Sequence, residues 1–457
     1  MNAPPDARST SSGTQGVRRG RTGALLFLGL FALYLANGKV SQHLQSGDTI
    51  PNRLLPFSLL RFGTITADPF RETIARHGGF RWYLQDRPVG LVSFYPIGTP
   101  IVALPFFIPI YAGLVTAERT SAEELFLASP YVEKIVAAGM TASAVVLVWS
   151  CLRRRVTERK ALSISVVLGA CTLLWPVASQ LLWQHTAASL LIALGCLILC
   201  LGPGWRRSVA LGMTFGLLFA VRPQAAVFLV ALPLGLLLEP GTAKSRFSGT
   251  LWYCLGALPS IVGTLVYNQW SYGLWGGGYQ FFASRLFGLE YVLPGIAGLT
   301  LSPNRGALVL MPVVIFGIIG AGRALRRWRS EPAVAALVMA AGGYFLIHAA
   351  TRSWAGGWCF GPRYLTELLP LMAVCAAQLE WRPGARMALL IAAIAWSFVM
   401  QLAGAVFYPA SRWNARMQAE TLEEKAWDWS HFMPWEDFQS WLQQRAAAAT
   451  APPTNPR

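Results

Sequence analysis

Charged residues are scarce in this chain. Asp, Glu, Lys and Arg together make up 13% of its 457 residues, whereas soluble globular domains carry roughly a quarter. Hydrophobic residues reach 54%, and the mean hydropathy is +0.44. A compact soluble chain does not need so much apolar surface, but helices that face lipid do. The composition therefore excludes an ordinary soluble protein and predicts an integral membrane protein.

Short alternating strands, which an outer-membrane barrel would show, are also missing. Long unbroken apolar runs stand in their place, and such runs are typical of membrane-spanning helices. We therefore predict an all-α membrane protein with about 11–13 transmembrane helices. The apolar runs cover roughly residues 24–36, 90–116, 131–152, 161–180, 185–202, 208–221, 224–238, 249–267, 305–322, 333–350, 364–378 and 386–407.

Metal-binding patterns are missing as well. The seven cysteines form no CxxC pair and no cluster with histidine at metal-ligand spacing. Most of them lie inside apolar runs, where packing or lipid contact explains them. We therefore expect neither a bound metal ion nor another cofactor.

The net charge of +17 is carried largely by short loops between the apolar runs. Such a charge on a soluble protein would suggest nucleic acid, but its placement here excludes that partner and is typical of cytoplasmic loops. The basic loops also offer contacts to anionic membrane lipid. By this rule the connections at 153–160, 203–207, 239–248, 323–332 and 379–386 are cytoplasmic. The connections near 177–184, 268–304 and 352–363 are then outside.

Three regions follow from this topology. Residues 1–22 are predicted to be a disordered cytoplasmic tail, because their first part is rich in Ser, Gly, Pro and Thr. Residues 23–407 form the transmembrane domain, which begins with a retained first helix and carries a large first outer loop at 40–88. Residues 408–457 form an outer amphipathic tail that carries acidic residues and tryptophans.

The chain has to be on the same side of the membrane before residue 88 and after residue 130. The N-terminus and 153–160 are both predicted inside, so this stretch crosses twice or not at all. It contains four prolines that would break a simple helix, at Pro96, Pro100, Pro105 and Pro109. A kinked hairpin and a re-entrant segment both fit this pattern.

Polar and unusual residues concentrate on the predicted outer side of the membrane. Ionisable groups at membrane depth are costly, so such residues are candidates for a functional site. We therefore place the site on the outer face, near the lipid headgroups. The candidates are Asp48, Arg53, Asp68, Tyr95, His185, Arg222, Arg305, Trp354, Gly356, Gly357, Arg363 and Tyr364.

Several short motifs follow one another between about residues 25 and 405. They are SGDTIPNRLLP at 46–56, SFYPIGTP at 93–100, LWQHT at 182–186, Arg222-Pro223, Tyr267-Asn268 with Gly278-Tyr279, LSPNRG at 301–306 and WAGGWCFGPRYL at 354–365. Their order resembles the C-type superfold of integral membrane glycosyltransferases, specifically the bacterial relatives of protein O-mannosyltransferases and aminoarabinose transferases. One departure is Thr49, because many relatives carry Glu directly after the acid that Asp48 matches. A two-carboxylate or metal-dependent site is therefore not expected.

The resemblance implies the transfer of a sugar from a polyprenyl-phosphate donor to an acceptor glycan, lipid or protein at the outer face of the cell membrane. The transfer would be inverting and independent of metal. Asp48 would be the general base that deprotonates the acceptor hydroxyl. Arg363, Arg222 and Arg305 would neutralise the donor phosphate, because guanidinium groups match phosphate oxygens.

For three of the other candidates the sequence leaves both a structural and a functional role open. Asp68 fits a helix N-cap as well as a second acidic site residue. His185, at a helix start, fits a structural role as well as a functional one. The run from Trp354 to Trp358 fits an interfacial aromatic belt with a tight turn. The same run also fits a binding role, in which the glycines let the backbone approach a ligand closely and the tryptophans stack on a sugar or an isoprenoid chain.

Two other functions remain open at this stage. A ligase or polymerase of undecaprenyl-diphosphate-linked oligosaccharides would also be polytopic, with large outer loops and arginines. A transporter or lipid flippase would place its substrate residues near the bilayer midplane on broken helices, often in related halves. The charged residues here crowd the outer boundary and no matching halves are found, so the sequence favours the glycosyltransferase.

Overall fold

The computed structural model describes residues 10–37, 47–77, 83–281, 286–380, 384–408, 413–414 and 421–450. These residues are mostly helical. The strands of the described part form one antiparallel hairpin, β1 Leu84–Arg87 with β2 Gly90–Ser93, in the first loop. An isolated bridge joins Phe287 to Thr351.

The helices follow the apolar runs. The first ten are α1 Thr10–Leu35, α2 Ile50–Phe57, α3 Arg71–Arg76, α4 Gly98–Thr116, α5 Ala122–Leu152, α6 Glu158–Ala170, α7 Gln184–Leu199, α8 Trp205–Val221, α9 Ala226–Leu237 and α10 Ala243–Tyr272. The others are α11 Val292–Leu301, α12 Ala307–Leu310, α13 Val314–Arg326, α14 Pro332–Ala349, α15 Leu369–Ala376, α16 Ala385–Val406, α17 Leu422–Ala426 and α18 Met433–Thr450. Helix α1 begins inside the segment that composition predicts to be disordered, and residues 1–9 lie outside the described part.

Five helices of the described part are long and apolar enough to cross a membrane, by length and composition. They are α4, α5, α10, α14 and α16, and further apolar helices of 10–17 residues include α7 and α9. Leucine, isoleucine, valine and tryptophan side chains stay exposed along these helices, as lipid-facing surfaces require. The predicted fold class, an all-α membrane protein, is confirmed. The number of spans stays a prediction.

Three of the five connections predicted to be cytoplasmic meet at one end of the helix bundle. Arg155 forms an ion pair of 2.8 Å with Glu331. Lys160 donates to the backbone oxygens of Ala377 and Leu379, at 2.8 and 2.7 Å. These contacts join three of the five basic connections, so we call this the basic end.

The first loop and the other predicted outer segments meet at the opposite end, called here the loop end. Asn52 donates to the carbonyl oxygen of Leu182 at 3.0 Å. Tyr272, at the end of α10, donates to the carbonyl oxygen of Ser93 at 2.9 Å. These contacts agree with the two groups of connections that the charge pattern predicts, and the side of the membrane on which each group lies stays a prediction.

Helix α4 has both of its ends at the loop end. Its first residue, Gly98, touches the last turn of α8, where an added Cβ would lie 2.3 Å from the backbone of Ala220. Just past its last turn, the carbonyl oxygen of Thr120 accepts a hydrogen bond from Arg61 of the first loop. Arg76 then pairs with Glu123 at 3.0 Å. These contacts fit a segment that does not carry the chain across, which is one of the two alternatives for 88–130.

A buried ion pair attaches the first loop to the bundle. Arg53 of α2 lies 3.1 Å from Glu133 of α5, and their side chains are 4% and 0% exposed. The second carboxylate oxygen of Glu133 accepts the backbone N–H of Leu182 at 2.9 Å. Arg53, a candidate site residue, is thereby placed behind the loop and not in an open site.

Replacing Glu133 should therefore loosen the whole first loop. Glu133→Ala leaves the buried guanidinium of Arg53 uncompensated, which should cost about 3–5 kcal/mol of unfolding free energy. The measurement is denaturant unfolding in detergent micelles. The control is Glu123→Ala on the same helix, which removes a half-exposed pair and should cost less than about 1 kcal/mol. Equal losses in the two variants would contradict this account.

Candidate functional site

The centre of the loop end is an ion pair between residues 315 positions apart. The guanidinium of Arg363 donates to Oδ2 of Asp48 at 3.2 Å. Asp48 lies in the turn Gly47–Thr49 that starts α2, and Arg363 begins the 3₁₀ helix Arg363–Leu368. The Asp48 side chain keeps 21% of its surface exposed and the Arg363 side chain 13%. Both groups are therefore reachable by a ligand that approaches from the loop end.

Aromatic groups fix the geometry of this pair. The hydroxyl of Tyr95 is hydrogen-bonded to Asp48. Burial, and then the charge of Asp48, raises the pKa of Tyr95 well above its ordinary value, so the hydroxyl keeps its proton and acts as a donor. The Arg363 guanidinium lies over the ring of Trp183 at 4.7 Å and near that of Tyr364 at 5.6 Å.

Gly356 and Gly357 let the loop after α14 pack against Arg363. Their φ angles are +81° and +72°, in the left-handed region that favours glycine. A Cβ at Gly356 would lie 3.3 Å from Cγ of Arg363, and one at Gly357 would lie 3.6 Å from its Nη2. The group that these glycines approach in the structure is the Arg363 side chain, and their approach to a ligand stays a prediction.

A second, closed cluster lies behind the first. Glu367 contacts Nδ1 of His185 at 2.6 Å, Nε of Arg222 at 3.2 Å and the hydroxyl of Tyr344. The side chains of Glu367 and Arg222 are only 1% and 5% exposed. Arg222 also reaches His348 at 3.3 Å. This arrangement balances one buried guanidinium with one buried carboxylate.

Tyr364 joins the two clusters. Its ring stacks on His348 at 4.5 Å, and the guanidinium groups of Arg222 and Arg363 lie 5.9 and 5.6 Å from its centre. Asp48, Tyr95, Arg363, Tyr364, His185 and Arg222 are thus brought together as one continuous group.

Sequence reasoning missed Glu367, Tyr344 and His348. A signal was present for Glu367, because a carboxylate inside the apolar run 364–378, one helical turn after Arg363, is costly without a partner. Tyr344 and His348 lie one turn apart on α14, but nothing in their spacing indicates that they face Arg222.

Arg305 is not brought to this group, contrary to the expectation that it faces a donor phosphate. Its guanidinium donates to the carbonyl oxygens of Ala355 at 2.9 Å and Gly357 at 3.3 Å, and it lies over the ring of Trp413 at 4.7 Å. The side chain is fully buried. Arg305 therefore supports the loop that carries Gly356 and Gly357 from behind.

The expectations for Trp354 and Asp68 also differ from the structure. Trp354 is 3% exposed and packs against Gly298 of α11, so it has no free face for a sugar, whereas Trp358 is 59% exposed. Asp68 is not an N-cap: it lies inside the turn Asp68–Phe70 and accepts hydrogen bonds from Arg71 at 2.7 Å and from the N–H of Leu91 at 3.0 Å. Burial acts to raise the pKa of Asp68, but these hydrogen bonds outweigh it and lower the pKa below its ordinary value.

The partly exposed pair of Asp48 and Arg363 is suited to two chemical tasks. A carboxylate beside a donor hydroxyl can take a proton from an acceptor group, and a guanidinium beside it can hold an anion. Within the described residues, no group of three or more His, Cys, Asp or Glu side chains lies at metal-binding distances.

Comparison with protein-family models and with curated proteins finds no match. Among solved structures, the chain is similar to ArnT from Cupriavidus metallidurans bound to undecaprenyl phosphate, at 13% identity and a TM-score of 0.49, over 94% of this chain and 77% of that one. It is also similar to the Archaeoglobus fulgidus oligosaccharyltransferase tethered with an acceptor peptide, at 13% identity and a TM-score of 0.45, over 84% of this chain and 55% of that one. The chain thus spans little more than half of the oligosaccharyltransferase.

Because Gly356 packs on Arg363, a side chain at position 356 should lower the stability of the protein. Gly356→Ala forces alanine into a left-handed conformation and presses its Cβ on Arg363, which should cost roughly 1–3 kcal/mol of stability. The matched control is Gly342→Ala in α14, where nothing lies within 4 Å of an added Cβ. That change should be neutral or stabilise the helix by up to about 1 kcal/mol. Unfolding of both variants in micelles tests the difference, and the same sign in both would contradict it.

Proposed function

We propose that this protein transfers a sugar from a polyprenyl-phosphate donor to an acceptor hydroxyl at the outer face of the cell membrane. The observation that carries the proposal is the partly exposed pair of Asp48 and Arg363 at the loop end. A base and a fixed cation in contact are what such a transfer needs. The basic end faces the cytoplasm by the positive-inside rule, so the loop end faces outward.

Asp48 acts as the general base in this proposal. It takes the proton of the acceptor hydroxyl while the hydroxyl oxygen attacks the anomeric carbon of the sugar. The bond from the anomeric carbon to the phosphate oxygen breaks, and the lipid phosphate leaves with the electron pair. Tyr95, which donates to Asp48, holds the carboxylate in a fixed direction.

Arg363 holds the donor phosphate. Asp48 accepts a hydrogen bond from this guanidinium, and the donor phosphate competes with Asp48 for it. Negative charge grows on the phosphate as the bond to the sugar breaks, and a fixed guanidinium stabilises that growing charge. Arg222 lies deeper and its charge is balanced by Glu367, so the proposal assigns the direct phosphate contact to Arg363.

The proposed transfer inverts the anomeric centre and uses no metal ion. Of the carboxylates in this group, Asp48 is partly open, whereas Glu367 is 1% exposed and has three partners. One reachable carboxylate supports a single displacement, since a double displacement needs a second one as nucleophile. The positive charge beside the phosphate is supplied by Arg363.

The Asp48→Asn variant tests the base. The amide keeps the size of the side chain but cannot accept the proton, so the turnover number should fall by about 100-fold or more. The assay is release of lipid phosphate from a panel of polyprenyl-phosphate sugars by the purified protein. The control is Glu72→Gln, an exposed carboxylate of the same loop, which should keep full activity. Full activity of Asp48→Asn would remove the mechanism.

The Arg363→Gln variant tests the phosphate contact. Loss of charge-assisted hydrogen bonds should weaken binding of polyprenyl phosphate by about 10- to 100-fold. Binding to protein in micelles gives the dissociation constant directly, without any need for the acceptor. Arg352→Gln, which changes an exposed arginine of the neighbouring loop, is the control and should bind normally. Unchanged affinity in Arg363→Gln would place the phosphate elsewhere.

A further inference from the structure

A polar pocket opens between the first turns of α8 and α10 and the end of α9. Its volume is about 120 Å³, and one water molecule needs roughly 10–15 Å³ of such space. The pocket therefore has room for a group the size of a phosphate. We call it the basic-end pocket, and its charged and hydroxyl-bearing side chains are Arg207, Ser208, Glu239, Ser245, Arg246 and Ser248.

The basic-end pocket lies at the same end of the bundle as the ion pair of Arg155 with Glu331. Arg155 also donates from Nε to Sγ of Cys200 at 3.4 Å, just before the pocket begins. The connections 203–207 and 239–248 build the pocket, and the charge pattern predicts both to be cytoplasmic. The basic-end pocket is therefore separate from the candidate site at the loop end.

The charges of the basic-end pocket favour an anion. Arg207 donates to both carboxylate oxygens of Glu239, at 2.9 and 2.6 Å, so these two charges balance each other. Arg246 is half-buried and leaves the lining with a net positive charge. Arg206 and Lys244, in the same two connections, add further positive charge nearby.

Several donors at the basic-end pocket are not fully used. Nε of Arg207 has no hydrogen-bond partner within the described residues, although this residue is only 8% exposed. Arg246 donates from Nε and Nη2 to the carbonyl oxygen of Gly241, at 3.1 and 2.8 Å, and these bonds do not involve its Nη1. No side chain in the described part of the chain caps the first turn of α8. Free N–H groups and the helix dipole at such a turn attract phosphate oxygens.

The surroundings of the basic-end pocket indicate that the phosphate belongs to a lipid. Trp205 and Trp252 lie against each other with ring centres 5.7 Å apart, and they are 55% and 38% exposed. Tryptophan is typical of the membrane interface. From Ser248 in the pocket, Trp252, Leu255 and Val262 continue one face of α10 at helical spacing, and all three are exposed. This apolar face offers a path for acyl chains, which a soluble phosphate compound would not use.

We propose that the basic-end pocket binds the phosphate group of an anionic phospholipid from the cytoplasmic leaflet. The phosphate oxygens accept hydrogen bonds from Arg246 and from the first turn of α8, and an acyl chain packs on Trp252 and Leu255. A zwitterionic headgroup would bring its own cation beside Arg246. Glu239 does not offset that cost, because both of its oxygens already accept from Arg207. The site is independent of the proposed sugar transfer.

The first test measures lipid binding to the purified protein in neutral detergent micelles by native mass spectrometry. Phosphatidylglycerol, phosphatidylethanolamine and phosphatidylcholine with the same acyl chains are the probes. Phosphatidylglycerol should bind most tightly, and Arg246→Gln should weaken its binding about tenfold, as loss of a charge-assisted hydrogen bond does. The matched control is Arg329→Gln, which removes an exposed arginine beside Trp328 in another basic connection. It should change the affinity less than about twofold.

A second set of measurements separates the lipid from a soluble phosphate source. Trp252→Ala should weaken binding of phosphatidylglycerol about two- to tenfold, because the acyl chain loses an aromatic contact. Inorganic phosphate at millimolar concentration, which has no acyl chain, should not displace the lipid. Arg246→Lys keeps the charge and should bind the lipid more tightly than Arg246→Gln. Unfolding of each variant without added lipid shows whether a loss of binding reflects a loss of fold, and Arg246→Lys then carries the test.

Four results would overturn the proposal. They are equal affinity for the three lipids, unchanged affinity in Arg246→Gln, an equal loss in Arg329→Gln, and displacement of the lipid by inorganic phosphate. The third result would mean a diffuse attraction to basic loops, and the fourth a site for soluble phosphate. None of these measurements uses a sugar donor or an acceptor, so failure of the proposed function would leave their outcome unchanged.

Discussion

The ion pair between Asp48 and Arg363 joins two distant parts of the chain at the loop end. Asp48 belongs to the first loop and Arg363 to the segment before α15, so each must be fixed independently to bring their atoms to 3.2 Å. On one side, the pair of Arg53 with Glu133 attaches α2 to α5 with side chains that are almost fully buried. A partly open ion pair contributes little to stability by itself. The buried pair supplies the attachment, which leaves the open pair available for a ligand.

Charge balance explains why two arginines can lie so close together. Arg363 and Arg222 share the ring of Tyr364, at 5.6 and 5.9 Å, and two uncompensated guanidinium groups at that depth would repel each other. Glu367 balances Arg222 and Asp48 balances Arg363. Burial of a charge is tolerated when it is paired and hydrogen-bonded. If a phosphate replaces Asp48 at Arg363, the carboxylate is released toward the acceptor while the balance of charge at Arg363 is kept.

The sequence allows the fold class and the grouping of the connections to be predicted, because hydropathy and basic loops determine which segments share a side. That Asp48 and Arg363 belong to one site is implied only by the resemblance of the motifs. The sequence does not allow the direction of a side chain within an irregular loop to be predicted. Arg305 and Arg363 each follow a Pro-containing motif at an apolar run, yet one is aimed at backbone oxygens and the other at Asp48. Trp354 and Trp358 are four residues apart, yet only Trp358 is open, since the left-handed glycines between them turn the chain. The position of Glu367 inside an apolar run indicates that it has a buried partner, but the run does not indicate which residue that partner is.

The role of Arg305 follows from the same constraint. The C-terminal tail packs on it, with the backbone N–H of Met433 donating to Asn304 at 2.7 Å and Asn304 donating to the carbonyl oxygen of Lys425 at 3.1 Å. The donors of Arg305 in turn hold the carbonyl oxygens of Ala355 and Gly357. Since Gly357 and its neighbour Gly356 pack on Arg363, the tail supports this side chain indirectly through Arg305, whereas the first loop contacts it directly through Asp48. In the proposed transfer, Arg363 exchanges Asp48 for the donor phosphate. Such an exchange needs a guanidinium held in place, because a mobile side chain would orient neither anion.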